Sequence, residues 1–443
     1  MGISVMPDPA YLMTMGDGTI KQINPSTGTR VWTVKGRSNR PLASVDHHAG
    51  PVSDTDWTHG CTFCSARYME TPPERARIVR DNGWKMIERV RVENLFDTIA
   101  EFRVVSNLFE IVSYDYWHEN YGYELSEDIA AYKELYLSTE QGRRHVVAVQ
   151  AAKMRLAGKT AEEIARMDQD HILSQADGFF GGGHDVIIAR RHWLDGARTT
   201  AELASAGSLT PDEHEQYIRL TLHTMKNLYT INRYTRYVAV FQNWLKPAGA
   251  SFDHLHKQLV SIDEHGANAD QVVSRIRENP NFFNECGVNY ANYHNLLVAE
   301  TESSVAFAGF GHRYPTIEIY SKSPRVYPWE QTEDEVRDMS NIIHALHAAT
   351  GREVPSNEEW HHVPPDVDVP MPWRINIKWR ISTVAGFEGD TKIYINTLSP
   401  QEIRNIVTSR LRELRADGTI ADIRIGDECS GAPNPLKYNP SLW

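Results

Sequence analysis

The chain has 443 residues, 46 Lys+Arg against 58 Asp+Glu for a net charge of −12, 41% hydrophobic residues and four cysteines. That length suits two or three domains that each bury a core, and the acidic balance excludes a nucleic-acid coat or a polybasic membrane binder, so any anionic ligand needs a local basic pocket. The start, MGISVMPDPAYL, lacks a secretory signal's cationic end and apolar core, no run of eighteen apolar residues follows, and Met6 breaks the myristoylation pattern. A cytoplasmic protein with neither membrane nor nucleic-acid partner is the expectation.

In chain order, TGTRVWTVKGRSNRP (27–41) carries a strand-like VWTV followed by Arg37 and Arg40. Two arginines so placed can fork onto phosphate oxygens, although solvated pairs are commoner. From Trp117 to Phe179 the pattern turns helical, with SEDIAAYKELYLSTEQ, RRHVVAVQAAKMRLAG and a capping box at Thr160 and Glu163. It carries no catalytic constellation and reads as a helical insertion. Next come a β-branched strand over 184–193 and a helix over 209–228 opened by Thr210, Pro211 and Glu213. A strand over 315–324 and a helix opened by Thr332 and Glu335 repeat that order. Strands at 234–244 and 255–262 follow the first helix, and strands at 373–382 and 392–396 follow the second. The expectation is a duplicated α+β unit with antiparallel sheet. The tail, SGAPNPLKYNPSLW, reads as irregular.

Three places can carry chemistry. In HLHKQ, a strand's two-residue period puts His254, His256 and Gln258 on one face and Leu255 and Lys257 on the other. An imidazole that attacks phosphorus must be neutral with a free ring nitrogen, and an amide two residues on can donate to a phosphoryl oxygen; a solvated polar strand face is the plain alternative. Just upstream, Asn243, Gly249, Ala250 and Ser251 supply small residues and donors that let backbone approach a phosphate, or merely form a loop. Cys61 and Cys64 form a CxxC, the spacing by which one turn offers two thiolates to a metal. No thioredoxin-like context supports a redox dithiol, and His59, His184, His192 and His254 are available as further ligands to tetrahedral zinc.

These motifs, together with TPPE (71–74), FRVVSNLF (102–109), GGGHDVIIARRH, AGFEGDTKIYIN and SPQE (399–402), occur in an order that resembles the galactose-1-phosphate uridylyltransferase-like family of the histidine-triad superfamily. The resemblance implies tandem histidine-triad-like halves: residues 1–117 and 179–275 an active first half, 118–178 an insertion, and 288–443 a degenerate second half. It implies a nucleotidyltransferase that moves a nucleoside monophosphate between a nucleoside diphosphate sugar and a phosphorylated acceptor, a sugar 1-phosphate or phosphate, through a covalent nucleotidyl-His256. Gln258 and Ser251 would hold the transferred group, with Phe63, Asn107, Asn243 and Gly249 lining the nucleotide site and Arg37 and Arg40 facing phosphates. One zinc per chain would sit on Cys61, Cys64, His192 and His254, leaving His184 a non-ligand. Gly386, Phe387 and Glu388 match the sugar-side segment, and a homodimer sharing its sites is the family's common assembly.

In the second half Ser323 stands near the position of His192, and Arg374 and Asn376 replace the HxH pair, so no iron site is expected there. An ADP-sugar or dinucleoside polyphosphate phosphorylase, or a nucleotide-binding protein without turnover, are the alternatives.

Overall fold

Helices begin where the sequence supplies caps. The hydroxyls of Thr160, Thr210, Thr332 and Ser399 each accept the backbone N–H three residues on, and the Glu at that position accepts in return. The computed structural model describes residues 11–34, 50–53 and 55–442, so Arg37 and Arg40 lie outside the described residues. The helices are α1 (Asp56–His59), α2 (Tyr114–Tyr121), α3 (Glu127–Leu137), α4 (Glu140–Leu156), α5 (Ala161–Ala165), α6 (Gln169–Ser174), α7 (Asp177–Gly181), α8 (Pro211–Ile231), α9 (Ala267–Glu278), α10 (Tyr290–Tyr293), α11 (Glu333–Thr350), α12 (Gly386–Thr391) and α13 (Pro400–Ala416). None of them is long and apolar enough to cross a membrane.

The strands are β1 (Leu12–Thr14), β2 (Ile20–Ile23), β3 (Arg30–Thr33), β4 (Glu74–Arg80), β5 (Trp84–Glu88), β6 (Ala100–Ser106), β7 (His184–Ala189), β8 (Tyr237–Trp244), β9 (His256–Ile262), β10 (Leu297–Glu300), β11 (Ser304–Ala308), β12 (Thr316–Ser321), β13 (Ser356–His361), β14 (Arg374–Trp379), β15 (Ile393–Asn396) and β16 (Arg424–Ile425). Twelve of them form one antiparallel sheet, ordered β16-β10-β11-β12-β14-β13-β8-β9-β7-β6-β4-β5. The unit β7, α8, β8, β9 recurs as β12, α11, β13, β14, and the two halves meet where β8 pairs with β13, Asn243 opposite Asn357 and Gln242 opposite Glu358. The chain is therefore α+β with tandem histidine-triad-like halves, fused edge to edge into one sheet.

Strand alternation gives that sheet two faces. On β14, Ile375, Ile377 and Trp379 enter the main core, where each aliphatic side chain contributes about 1.5–3 kcal/mol, while Arg374, Asn376 and Lys378 turn to the other face. Helices α8 and α11 cover the apolar face and touch each other near the junction, with His214 Nδ1 2.7 Å from Ser340 Oγ. Lys257 also points there: its Nζ lies 2.7 Å from Glu358 Oε1, both side chains fully buried, and above the rings of Tyr217 and Trp360. Glu358 accepts from His347 Nε2 (2.6 Å) and Trp360 Nε1 (2.5 Å) as well, so this buried carboxylate of the second half is neutralised by a cation of the first.

Helices α2 to α7 occupy the chain between β6 and β7 and build a second core from residues such as Ile129, Tyr136, Val146 and Phe180. His145 pins them to the first half, donating from Nε2 to the Thr71 carbonyl (2.9 Å) and accepting at Nδ1 from Tyr136 Oη (2.7 Å).

Two expectations change. KIYIN is β15, but it is no member of the second copy: it pairs in parallel with β3 in a separate sheet ordered β1-β2-β3-β15. The strand that does follow the second helix is β13, whose sequence SNEEWH carries too many polar residues to announce a strand, because its alternate side chains face a polar cavity and a buried ion pair. The irregular tail is also anchored: Leu436 and Tyr438 are buried, and Tyr438 Oη donates to the Pro280 carbonyl (2.7 Å).

Candidate functional site

The end of β9 gathers the candidate residues of the first half. Cys61 and Cys64 sit on the turn after α1, closed by the Cys64 N–H donating to the Cys61 carbonyl (3.0 Å). Trp193 packs so closely on this turn that a Cβ at Gly60 would lie 2.2 Å from its ring. His192 follows β7, its ring stacked on Trp193, and His254 lies in the bend just before β9. The ligand atoms of Cys61, Cys64, His192 and His254 all lie within 4.8 Å of one another, and this group could hold a metal ion. His254 Nε2 donates to the Ala189 carbonyl (2.6 Å), which leaves Nδ1 as the free nitrogen, 3.4 Å from Cys61 Sγ. The two thiols share their protons unequally. Donation from Cys61, with His192 and His254 beside it, holds Cys64 down to about 2, while the Cys64 thiolate and burial push Cys61 up.

His256 opens β9 and is 4% exposed. Its Nδ1 donates to the His254 carbonyl (2.8 Å), so Nε2 carries the lone pair, and burial lowers its pKa to about 4 and keeps the ring neutral. Phe63, from between the two cysteines, meets this ring edge-on at 5.4 Å and packs on Val105, Val186 and Ile188.

Gln258 stands two residues along on the same face. Its Oε1 lies 3.0 Å from His184 Nε2 and accepts from Asn107 Nδ2 at 3.3 Å. The Ile111 N–H donates to His184 Nδ1 (3.2 Å), so Nε2 bears the His184 proton and donates to Gln258; burial lowers the His184 pKa to about 4. With its oxygen held twice, the Gln258 amide presents its NH2 in a fixed direction.

Asn243, on β8, belongs to the strand beside β9, and its Oδ1 accepts from Asn357 Nδ2 (2.7 Å). Leu245 follows at φ +66° and Gly249 at φ +90°, two left-handed positions that fold the loop back toward β9. Ser251 is exposed at the end of that loop. Gly386, Phe387 and Glu388 open α12 beside β15, and among the described residues no hydrogen bond or ring contact links them to His256 or Gln258. Two contributors escape motif reading. His184 is a histidine of GGGHDVII that competes on paper as a metal ligand, and only its register opposite Val260 brings it to Gln258. Phe252 has its ring 4.5 Å from Phe63 and 6.4 Å from His256, and its one signal is an aromatic set between the Gly-Ala-Ser loop and HLH.

Comparisons with known proteins agree with this fold. A crystal structure of an ADP-glucose phosphorylase from Arabidopsis thaliana with bound ADP-glucose superposes with a TM-score of 0.56 at 19% identity, covering 88% of this chain and 97% of that one. A galt-like protein from Arabidopsis thaliana superposes with a TM-score of 0.55 at 18% identity, covering 87% and 97%. In sequence, the ADP-glucose phosphorylase of Arabidopsis thaliana is 25% identical over 182 residues, 39% of this chain, which spans 51% of that relative's length. These likenesses show that the chain shares the fold of those proteins. The family model described as a domain of unknown function, DUF4921, matches residues 15–438, and the chain belongs to that family.

Proposed function

We propose that the protein is a nucleotidyltransferase acting on nucleoside diphosphate sugars, with His256 as nucleophile. The observation that carries this reading is the neutral, buried His256, whose Nδ1–H is spent on the His254 carbonyl and whose neighbour Gln258 is held amide-outward by His184 and Asn107. His256 Nε2 attacks the α-phosphorus, the bond from phosphorus to the bridging oxygen breaks, and the sugar leaves as its 1-phosphate. The cationic imidazole of the phosphoramidate keeps its Nδ1–H on the His254 carbonyl, and Gln258 donates to a non-bridging oxygen. An oxygen of a second phosphate then attacks phosphorus, the P–N bond breaks, and neutral His256 returns. The adenine nucleotide sugar named for the relatives makes ADP-glucose the first donor to try, with inorganic phosphate and sugar 1-phosphates as acceptors. Phe63, Asn107, Asn243, Gly249 and Ser251 fit the nucleotide and phosphate side of this site, and Arg37 and Arg40 keep the phosphate-facing role that the resemblance implies. In the homodimer of the family, Gly386, Phe387 and Glu388 would serve the partner's site.

Zinc is the metal we assign to Cys61, Cys64, His192 and His254. Zn–S bonds of about 2.3 Å at tetrahedral angles set the sulfurs about 3.8 Å apart, and Cys61 Sγ and Cys64 Sγ are 3.8 Å apart here. Bound zinc would act as a structural crosslink. The protein around it holds Phe63 against His256 and keeps the His254 carbonyl on Nδ1. Elemental analysis should find about one zinc per chain, and Cys61→Ser should remove it and lower the melting temperature; zinc-free wild type with an unaltered Cys61→Ser melt overturns the assignment.

Transfer is tested with ADP-glucose labelled at the α-phosphate, alongside UDP- and GDP-sugars. Wild type should acquire an acid-labile, base-stable label that phosphate discharges, and His256→Ala should acquire none. No label with any donor, or label that persists in His256→Ala, removes the mechanism.

A further inference from the structure

On the same face of the sheet as His256, a cavity of about 720 Å³ lies over β13 and β14 of the second half and reaches across the junction to β8, where Asn243 borders both it and the first site; its volume is within the usual range for a small-molecule site. The duplication fixes what its residues correspond to. β14 lies between β13 and β12 as β9 lies between β8 and β7, so Arg374, the first residue of β14, matches His256, the first residue of β9, and Asn376 matches Gln258, two residues along from the HxH positions that the sequence suggests. Substitution has therefore removed the nucleophile from this copy and put a fixed cation in its place.

That cation is not consumed by the fold. Arg374 is 6% exposed, its guanidinium rests 4.1 Å from the Phe283 ring centroid, and its Nε has no hydrogen-bond partner among the described residues. Asn376, 7% exposed, donates to His361 Nε2 (3.2 Å) while its Oδ1 stays unpartnered. Of the remaining charges, Lys378 is paired with Glu359, and Glu318 accepts from His312 (2.8 Å) and from Tyr320 Oη (2.7 Å). Arg380 donates one N–H to Asn357 Oδ1 (2.7 Å) and leaves Nε unpaired. Three guanidinium or ammonium groups thus face two carboxylates, both already engaged, around a space with buried donors left over. A buried guanidinium whose Nε finds no partner is costly in an empty protein and favourable against an anion.

We propose that this cavity is a second, non-covalent binding site for a phosphorylated small molecule, with Arg374 meeting the phosphate where His256 stands in the first half. The aromatic and amide residues lining the same space, Tyr237 and Asn357 among them, suit a sugar or nucleoside attached to that phosphate better than a bare ion. The guanidinium stays protonated and offers phosphorus no free lone pair, so the ligand is held and released intact.

The site is read by binding rather than by transfer, so it stands apart from the nucleotidyl-transfer reading. In His256→Ala protein, calorimetric titration with AMP and with glucose 1-phosphate should show a site that Arg374→Met weakens at least about tenfold. The isosteric Asn376→Asp, which sets a carboxylate against the phosphate, should weaken it as much while the protein keeps its melting temperature; this second variant decides the matter if Arg374→Met fails to fold. Binding that neither variant alters, or binding of citrate that equals binding of both phosphates, overturns the proposal. Loss of covalent labelling in wild type leaves it untouched.

Discussion

β9 and β14 hold equivalent places in the two halves and end in opposite chemistry. β9 begins with a neutral imidazole flanked by the Cys61, Cys64, His192 and His254 group, whereas β14 begins with a guanidinium laid on an aromatic ring. The backbone, the strand pairing and the covering helix are common to both. What separates them is the support around one side chain. His256 has a carbonyl that fixes its tautomer, a phenylalanine at its edge and a glutamine held by two donors, and each is placed by a residue outside β9. Under the proposed function, a sheet is duplicated whole while chemistry is kept in one copy, because the reactive group depends on a few neighbours placed from outside its strand.

The strongest break of the comparison is His256→Ala, which should abolish covalent labelling altogether. The converse pair, Arg374→His with Asn376→Gln, should restore none, because the second half has Ser323 where the first has His192 and no described group there that could hold a metal. Label on that variant carried in the His256→Ala background would show that the supporting shell is dispensable.

Next in size is the tie between the halves. Lys257→Met leaves Glu358 buried without its cation and should cost about 3–5 kcal/mol in denaturant unfolding. Adding Glu358→Leu should recover part of that loss, since the remaining cost is then the unpaired N–H groups of His347 and Trp360. Equal stability of Lys257→Met and wild type would mean the two halves are held together by strand pairing and packing without this ion pair.

The ion pair also shows why the sequence is readable in one half and opaque at the junction. β7, α8 and β9 follow apolar period and capping signals, and their limits fall within a few residues of the pattern. β13 has Glu358 buried and Glu359 facing a cavity, so charge hides its strand period. The CxxC and HLHKQ motifs put the metal candidates and the nucleophile candidate on paper, but the choice of His192 over His184 needed either the family resemblance or the register that delivers His184 to Gln258. Nothing local in KIYIN reveals that it pairs with β3, because a parallel partner more than 350 residues away leaves no mark on alternation.

A smaller effect lies in the insertion helices of the first half. Burial lowers the His145 pKa to about 4 from its usual 6.5, so the folded protein favours the neutral ring while the unfolded chain takes up the proton first. The stability this ring contributes is full above pH 6.5 and declines as pH falls toward 4. The loss reaches about 3 kcal/mol at most, at about 1.4 kcal/mol per unit. His145→Gln should make stability less steep against pH in that window, where buried His184, His256 and His344 also contribute; an unchanged slope would mean that the ring is not held neutral between Thr71 and Tyr136.

The finest test concerns His184, whose imidazole touches Gln258 and not His256. If it serves only to aim the Gln258 amide, His184→Phe should slow transfer about tenfold, less than the hundredfold or more expected when a donor to the transferred group is lost outright, as in Gln258→Ala. Zinc content and melting temperature should hold, because His184 lies outside the Cys61, Cys64, His192 and His254 group. The loss should also vanish in a Gln258→Ala background, since a positioning residue has no effect once the group it positions is gone. Additive losses in that double variant would instead place His184 in direct contact with the nucleotide, and the first half would then owe its activity to two histidines rather than one.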